Sequence, residues 1–217
     1  MRLQASVSAV GFAFLLTLAD SDSSRLRGHP NATEKTEAET CVSRISLQEQ
    51  EKPYAFFGAR ANDAAQSLRQ RLLVTSDYQG RQKQFTGQTD WHIEWRPCYQ
   101  PAAAGCRISG VVSTVNVTYT LPQWADRNAA PQRLRDRWDA YIAGLTNHEK
   151  GHGEIALRVA AMIEKELVGL VDFANCGIVN DSATRIVEEV MNRGEALQRD
   201  YDRATAHGSR QGALFPF

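Results

Sequence analysis

His148-Glu149-Lys150-Gly151-His152 sits inside a long run whose apolar residues, Trp138, Tyr141, Leu145, Ile155, Val159 and Ile163, recur at helical spacing. That period predicts one amphipathic helix from Pro131, suited to a first helical turn, to about Leu170, with its glycines as the place for a kink. At about 100° per residue both histidines fall on the apolar stripe, so two imidazoles face a core, where each ring needs partners for its nitrogens. A zinc ion satisfies both. Neutral imidazoles four residues apart supply two of a catalytic zinc's three protein ligands, and the glutamate between them lies beside the open position where water binds. The spacing points to zinc-dependent hydrolysis with Glu149 as general base. The competing reading is a pair of core histidines bonded to backbone or carboxylate. Gly151 and Gly153 weigh toward a built site, because each costs a helix interior about 1 kcal/mol relative to alanine. Something is expected to pack or bind against the helix at His152.

Upstream of this helix the chain reads as β, then α, then β. Ile45, Leu47 and Tyr54 to Gly58 predict one or two strands, and Asn62-Asp63 caps a helix carrying Leu68, Leu72 and Leu73. Trp91, Ile93 and Trp95 alternate with His92, Glu94 and Arg96, which predicts a half-buried strand with His92 turned away from the core. Val111, Val115, Val117, Tyr119 and Leu121 predict a second strand with Thr114, Asn116, Thr118 and Thr120 on its other face, and the two strands form an antiparallel hairpin. Downstream, Phe173 to Asn180 reads as a connection, and Ser182 or Thr184 begins a helix bearing Ile186, Val187, Val190, Leu197 and Tyr201. Antiparallel packing of the two helices would return residues 201–208 toward the motif.

The 217 residues carry 25 Lys plus Arg against 25 Asp plus Glu, so no net field draws in nucleic acid or an acidic membrane surface. Residues 1–19 combine Arg2 with an apolar run from Val7 to Ala19, too short to span a bilayer, and read as a secretory signal peptide. Residues 20–40, rich in Ser, Asp, Glu and Thr, read as a disordered linker, leaving 41–217 as a single domain. Localisation is then secreted or periplasmic, with no stable membrane association after signal cleavage. The four cysteines fit an oxidising compartment. Cys98 and Cys106 close a short loop between the two strands and are the expected pair, which leaves Cys41 with Cys176.

A third ligand has to come from elsewhere. His207, just past the second helix, is the first choice, and Glu188, Glu189 and Glu195 are rivals, because two-histidine, one-glutamate sites draw their carboxylate from a following helix. Ile155 and Arg158 occupy the diagnostic glycine and histidine positions of the extended three-histidine motif, which excludes a metzincin. Tyr201 is a candidate to stabilise an oxyanion, and Asp202 to orient a ligand histidine.

Taken together, Tyr54 to Gly58, the Trp91–Trp95 strand, Cys106, Leu121-Pro122-x-Trp124, Trp138-x-x-Tyr141, His148-Glu149-x-Gly151-His152 and Tyr201-Asp202-x-x-Thr205-x-His207-Gly208-x-x-Gln211-Gly212 resemble the bacterial domain-of-unknown-function 922 family, described as predicted secreted zinc-dependent proteases. The resemblance spans roughly residues 50–215. It makes the terminal His-Gly part of a pattern and implies a zinc-peptidase-like site.

The resulting expectation is an α+β fold, a small antiparallel sheet with an N-terminal helix packed beside a helical hairpin that carries one zinc site in a zincin-like metallohydrolase domain. His148, His152 and His207 bind Zn2+, Glu149 is the base, Tyr201 and Asp202 assist, and the substrate is a peptide or protein. Two alternatives stand beside it. One is an amidase acting on cell-wall peptides. The other is a secreted binding module whose zinc is structural, closed by a fourth protein ligand such as Glu154 or Asp202.

Overall fold

The computed structural model describes residues 7–9, 41–76, 82–103, 105–170 and 173–217. The signal-peptide and linker expectations therefore lie outside the described residues, apart from one three-residue strand. Along the chain the elements are β1 (Val7–Ala9), β2 (Arg44–Phe56), α1 (Ala61–Arg69), β3 (Leu73–Ser76), β4 (Gln82–Phe85), β5 (Gln88–Ala102), β6 (Gly105–Trp124), α2 (Gln132–Val168) and α3 (Cys176–Thr205). The fold is α+β, with a four-stranded mixed sheet, a separate β3–β4 pair and three helices among the described residues.

Alternation along β5 and β6 produces the expected antiparallel pair, with Trp91 opposite Val117 and Ile93 opposite Val115. The sheet as a whole is not antiparallel. Its order is β1-β5-β6-β2, and β2 runs parallel to β6 from Arg44 opposite Val112 to Phe56 opposite Trp124. The physical reason is the connection: α1, the β3–β4 pair and β5 intervene between β2 and β6, so no tight turn forces opposite directions. α1 also stops earlier than its leucines suggested. Gln70 caps it, and Leu73 opens β3.

The stripe from Leu134 to Leu167 buries one side of α2, which spans 37 residues, about 55 Å at the α-helical rise. Its two ends enter different cores. Leu134, Trp138, Tyr141 and Leu145 join Phe56, Leu68 and Trp124 in a smaller aromatic cluster, while Ile155, Val159, Ile163 and Leu167 pack on Trp91, Ile93, Val115, Val117 and α3 in the larger one. His148, Glu149 and His152 occupy the seam between them. The glycines leave the helix unbroken and serve as contact points. A methyl group at Gly151 would collide with the Tyr201 ring, and one at Gly153 with the Tyr119 hydroxyl.

α3 begins at Cys176, well before Ser182 or Thr184, because Asn175 is the N-cap: its Oδ1 accepts a hydrogen bond from Ile178 N at 3.0 Å. It runs antiparallel to α2. Arg193 meets Glu166, Gly194 lies against Val159, Gln198 holds His152, and Asp202 faces His148.

The disulfides pair differently from expectation, as Cys41–Cys98 and Cys106–Cys176, with Cα–Cα distances of 5.5 and 5.1 Å. β5 and β6 stay paired right up to their turn, so Cys106 faces Pro101 while Cys98 faces Gly110. Those two pairs are three steps apart along the ladder, about 10 Å, beyond disulfide reach. Cys106 instead meets the α2–α3 connection, where its backbone exchanges hydrogen bonds with Phe173 at 2.8 and 2.9 Å.

Non-reducing peptide mapping should recover Cys41–Cys98 and Cys106–Cys176 linked peptides and no Cys98–Cys106 peptide. Replacing Cys106 and Cys176 together by serine should cost about 2–5 kcal/mol in chemical denaturation.

Candidate metal centre

The antiparallel helices set one i,i+4 pair against another, His148 and His152 on α2 against Gln198 and Asp202 on α3. All four side chains are buried, with His152 and Gln198 fully so. Each histidine is gripped at Nδ1 by a glutamine. His152 Nδ1 lies 2.5 Å from Gln198 Oε1, and Gln198 Nε2 donates to the His152 carbonyl at 3.0 Å. His148 Nδ1 lies 3.1 Å from Gln211 Oε1, Gln211 Nε2 donates to Tyr201 Oη at 3.0 Å, and Tyr201 Oη donates to the His148 carbonyl at 3.3 Å. The bonds made by each amide nitrogen orient its oxygen toward the imidazole. Both Nδ1 atoms therefore carry the proton in the neutral rings, and both Nε2 atoms are left as lone-pair donors.

Those two Nε2 atoms point at one oxygen. Asp202 Oδ1 stands 3.3 Å from His148 Nε2 and 3.2 Å from His152 Nε2. A carboxylate oxygen facing two imidazole lone pairs inside a core is repulsive unless a cation sits among them. Among the described residues, His152 Nε2 and Asp202 Oδ1 are both buried with no hydrogen-bond partner. The two histidine–aspartate separations are close to the edge of a tetrahedron around an ion with ~2.0–2.1 Å bonds, about 3.3–3.4 Å, the three donor atoms all lie within 4.8 Å of one another, and two imidazoles with one carboxylate are donors that suit a divalent ion. Among the described residues, His148, His152 and Asp202 form the one such convergent group. The donor set fits a metal.

Without a metal the charges settle on the residues themselves. Burial acts to raise the Asp202 carboxyl, but the His148 and His152 imidazoles beside it outweigh burial and hold it well below the ordinary carboxylate range. Burial acts to lower His148, and Asp202 together with Glu149 outweighs it, so His148 is raised. Burial dominates at Glu149 and pushes its carboxyl up, against the pull of His152, Thr89 and His148.

Glu149 turns toward β5. Its Oε2 accepts from Thr89 Oγ1 at 2.7 Å, and its Oε1 lies where a side chain on Gly87 would be, 2.7 Å from the position of a Cβ there. Gly87 is the gap that admits the carboxylate.

His207, expected as the third ligand, stands outside the buried trio, and Asp202, expected behind a ligand, stands within it. His207 Nδ1 still comes within 3.3 Å of Asp202 Oδ1, on a side chain 46 % exposed, with its ring 5.5 Å from that of Phe85. The turn that carries it is strained: Ala206 and His207 have φ of 49° and 50°, and Gly208 of 80°. Left-handed backbone at two successive non-glycine residues costs about 1–2 kcal/mol apiece, so the rest of the fold must enforce it. The Tyr201 ring stacks on His148 at 5.2 Å over the space left by Gly151. Its hydroxyl, expected from sequence to stabilise an oxyanion, is engaged by the α2 backbone and Gln211. Glu154, Glu188 and Glu189 are exposed, and Glu195 pairs with Arg199 at 3.7 Å, so none of these rivals reaches the site.

A family described as bacterial protein of unknown function, DUF922, matches residues 51–208. This chain belongs to that family. The match takes in the two histidines, Glu149, Gln198, Asp202 and His207 of this DUF922 protein, and leaves Gln211 just beyond its end. No curated protein and no solved structure matches the chain. The two disulfides of the DUF922 chain fit an exported protein, and among its described residues no helix is long and apolar enough to cross a membrane.

Gln198 and Gln211 were not anticipated as holders of the histidines. The signal was present in Gln198, which lies four residues before Asp202 and so shares its helix face. Replacing Gln198 by leucine should weaken divalent-metal affinity by about 10- to 100-fold in competition titrations with a chelator, while leaving the fold intact by circular dichroism. Removing the metal should also expose a pH dependence. A raised histidine stabilises fully below its ordinary value of 6.5 and loses that contribution as pH climbs through its folded value, and the raised, buried Glu149 adds to the same slope. The depressed Asp202 loses its contribution only on the acid side, below 3.8. The thermal midpoint of chelated protein should therefore fall from about pH 5 to about pH 8, and a rising midpoint would contradict this charge assignment.

Proposed function

We propose that this chain is an exported zinc-dependent peptidase, residues 41–217 forming a single metallohydrolase domain after a signal peptide at 1–19 and a linker at 20–40. The observation that carries the reading is the convergence of His148 Nε2, His152 Nε2 and Asp202 Oδ1 in the seam between two cores, two of the three without any hydrogen-bond partner. In this reading these three groups hold zinc. A zinc ion bound there supplies a Lewis acid, which polarises a substrate carbonyl and makes water more acidic.

The chain's own residues supply the rest. Thr89 fixes Glu149 Oε2, and no hydrogen bond among the described residues engages Oε1, the atom that takes the proton of water and delivers it to the leaving amine. Burial raises the Glu149 carboxyl, which brings a weak base closer to the working pH. Gln198 and Gln211 keep both imidazoles in the Nδ1–H tautomer, with Nε2 free for the ion. Tyr201 holds the His148 ring flat.

A second reading is supported by His207. Its Nδ1, 3.3 Å from the same Asp202 oxygen, makes a fourth protein ligand conceivable, and a site closed in that way is structural, in a secreted binding module without activity.

One experiment separates the two. The wild-type protein should bind one zinc per chain, and Asp202→Asn and His152→Ala should each weaken binding. Glu149→Gln should keep its zinc and lose cleavage of an unfolded protein substrate by about 10²–10⁴-fold. If zinc-loaded wild type cleaves nothing and His207→Ala weakens zinc binding as much as His152→Ala does, the structural reading replaces the catalytic one.

A further inference from the structure

An open cleft of about 490 Å³ is lined by Arg69 and Leu72 at the end of α1, by Gln84, Phe85 and Thr86, and by Phe215. Its volume falls within the range of small-ligand sites, about 300–1,000 Å³. Its inner wall is the rim of the metal centre. The Phe85 ring touches His207, and Thr86 precedes Gly87, the residue against which Glu149 Oε1 lies. That wall is fixed, since the Thr86 carbonyl accepts a hydrogen bond from Tyr54 Oη at 2.7 Å and its hydroxyl pairs with that of Tyr141.

The outer end of the cleft is cationic. Arg69 Cζ lies 5.4 Å from the centroid of the Phe215 ring, so the guanidinium is seated against an aromatic ring. Among the described residues it has neither an ion pair nor a hydrogen bond. A planar fork of donors suits a planar, two-oxygen anion, that is, a carboxylate. Phe215 lies directly beside that charge, and Leu72 and Phe85 line the same cleft. An aspartate or glutamate side chain carries its carboxylate on methylenes alone. The last residue of a peptide carries a carboxylate and an apolar side chain on the same Cα, which matches both features at once.

We propose that this cleft binds the C-terminal residue of a peptide substrate, its carboxylate on Arg69 and an apolar side chain against Leu72, Phe85 and Phe215. The assignment rests on the peptidase reading and gives it a substrate class, peptides trimmed near a free C-terminus. Hydrolysis would add the hydroxyl of water to the carbonyl carbon of a bond lying between the cleft and Glu149. The C–N bond breaks, and the second proton goes to the released amine.

The test is direct binding of short dansylated peptides to zinc-loaded Glu149→Gln protein, whose turnover is slow enough to leave them intact during the measurement. A peptide ending in phenylalanine with a free carboxylate should bind about 10- to 100-fold more tightly than its C-terminal amide, the scale of a charge-assisted hydrogen bond. Arg69→Gln should abolish that preference, and Arg69→Lys should retain part of it. Equal binding of acid and amide, or a preference that survives Arg69→Gln, would overturn the proposal. So would an amidated peptide with an internal glutamate binding as tightly as the free acid. Arg69-dependent carboxylate binding by a protein that hydrolyses none of these peptides would support the cleft while removing the peptidase reading. Cleavage by wild type that ignores the C-terminus would do the reverse.

Discussion

The carboxylate of Asp202 is the constraint around which this molecule is arranged. One of its oxygens, buried and without a hydrogen-bond donor among the described residues, faces imidazole nitrogens from His148, His152 and His207 at 3.2–3.3 Å. Positive charge is required there, as protons in the metal-free protein or as an ion when one is bound, because an uncompensated charge in a core costs several kcal/mol. Much of the local architecture serves to hold that oxygen in place. α3 has to run antiparallel to α2, Gln198 has to share the face of Asp202, and the chain has to leave α3 through a left-handed turn to bring His207 alongside.

Polar groups in a core also need apolar surroundings that do not collapse onto them. The seam on α2 provides this. Aromatic packing around Trp138 ends at Leu145, aliphatic packing on the sheet resumes at Ile155, and the intervening turns hold polar groups that are individually tied to Thr89, Gln198 and Gln211. Gly151 and Gly153 belong to the same solution. They let Tyr201 and Tyr119 lie on the helix, so that the walls of the polar pocket are aromatic rings with hydroxyls engaged elsewhere.

How far the sequence could be read depended on how local the determinant was. The helical period alone puts His148 and His152 on a buried face, and strict alternation alone puts Trp91, Ile93 and Trp95 inward, so both were legible. The direction of β2 was not, since it depends on a crossover through three intervening elements. The cysteine pairing failed for a related reason: Cys98 and Cys106 look close when the segment between them is read as a loop, yet that segment is ladder almost to its turn, and closeness in sequence becomes distance along the strands. At the site, the placement of Asp202 within the buried group and of His207 at its exposed edge follows the backbone of Ala206 and His207, in a conformation that their side chains do not announce.

The fastenings of the fold are spread unevenly along its length. Both disulfides lie toward the end of the sheet where β5 turns into β6, while Trp124, at the far end of β6, is held by packing on Trp138, by its ladder partner Phe56 and by a hydrogen bond to the Gly58 carbonyl, with no disulfide there. The polar centre lies between. Fraying that starts at the aromatic end therefore travels along α2 without meeting a covalent stop until it reaches the histidines, and whether it halts there depends on what they hold. An ion held at the centre would thus set how much of the molecule opens as one unit, and without one the chain would loosen at one end while staying stapled at the other.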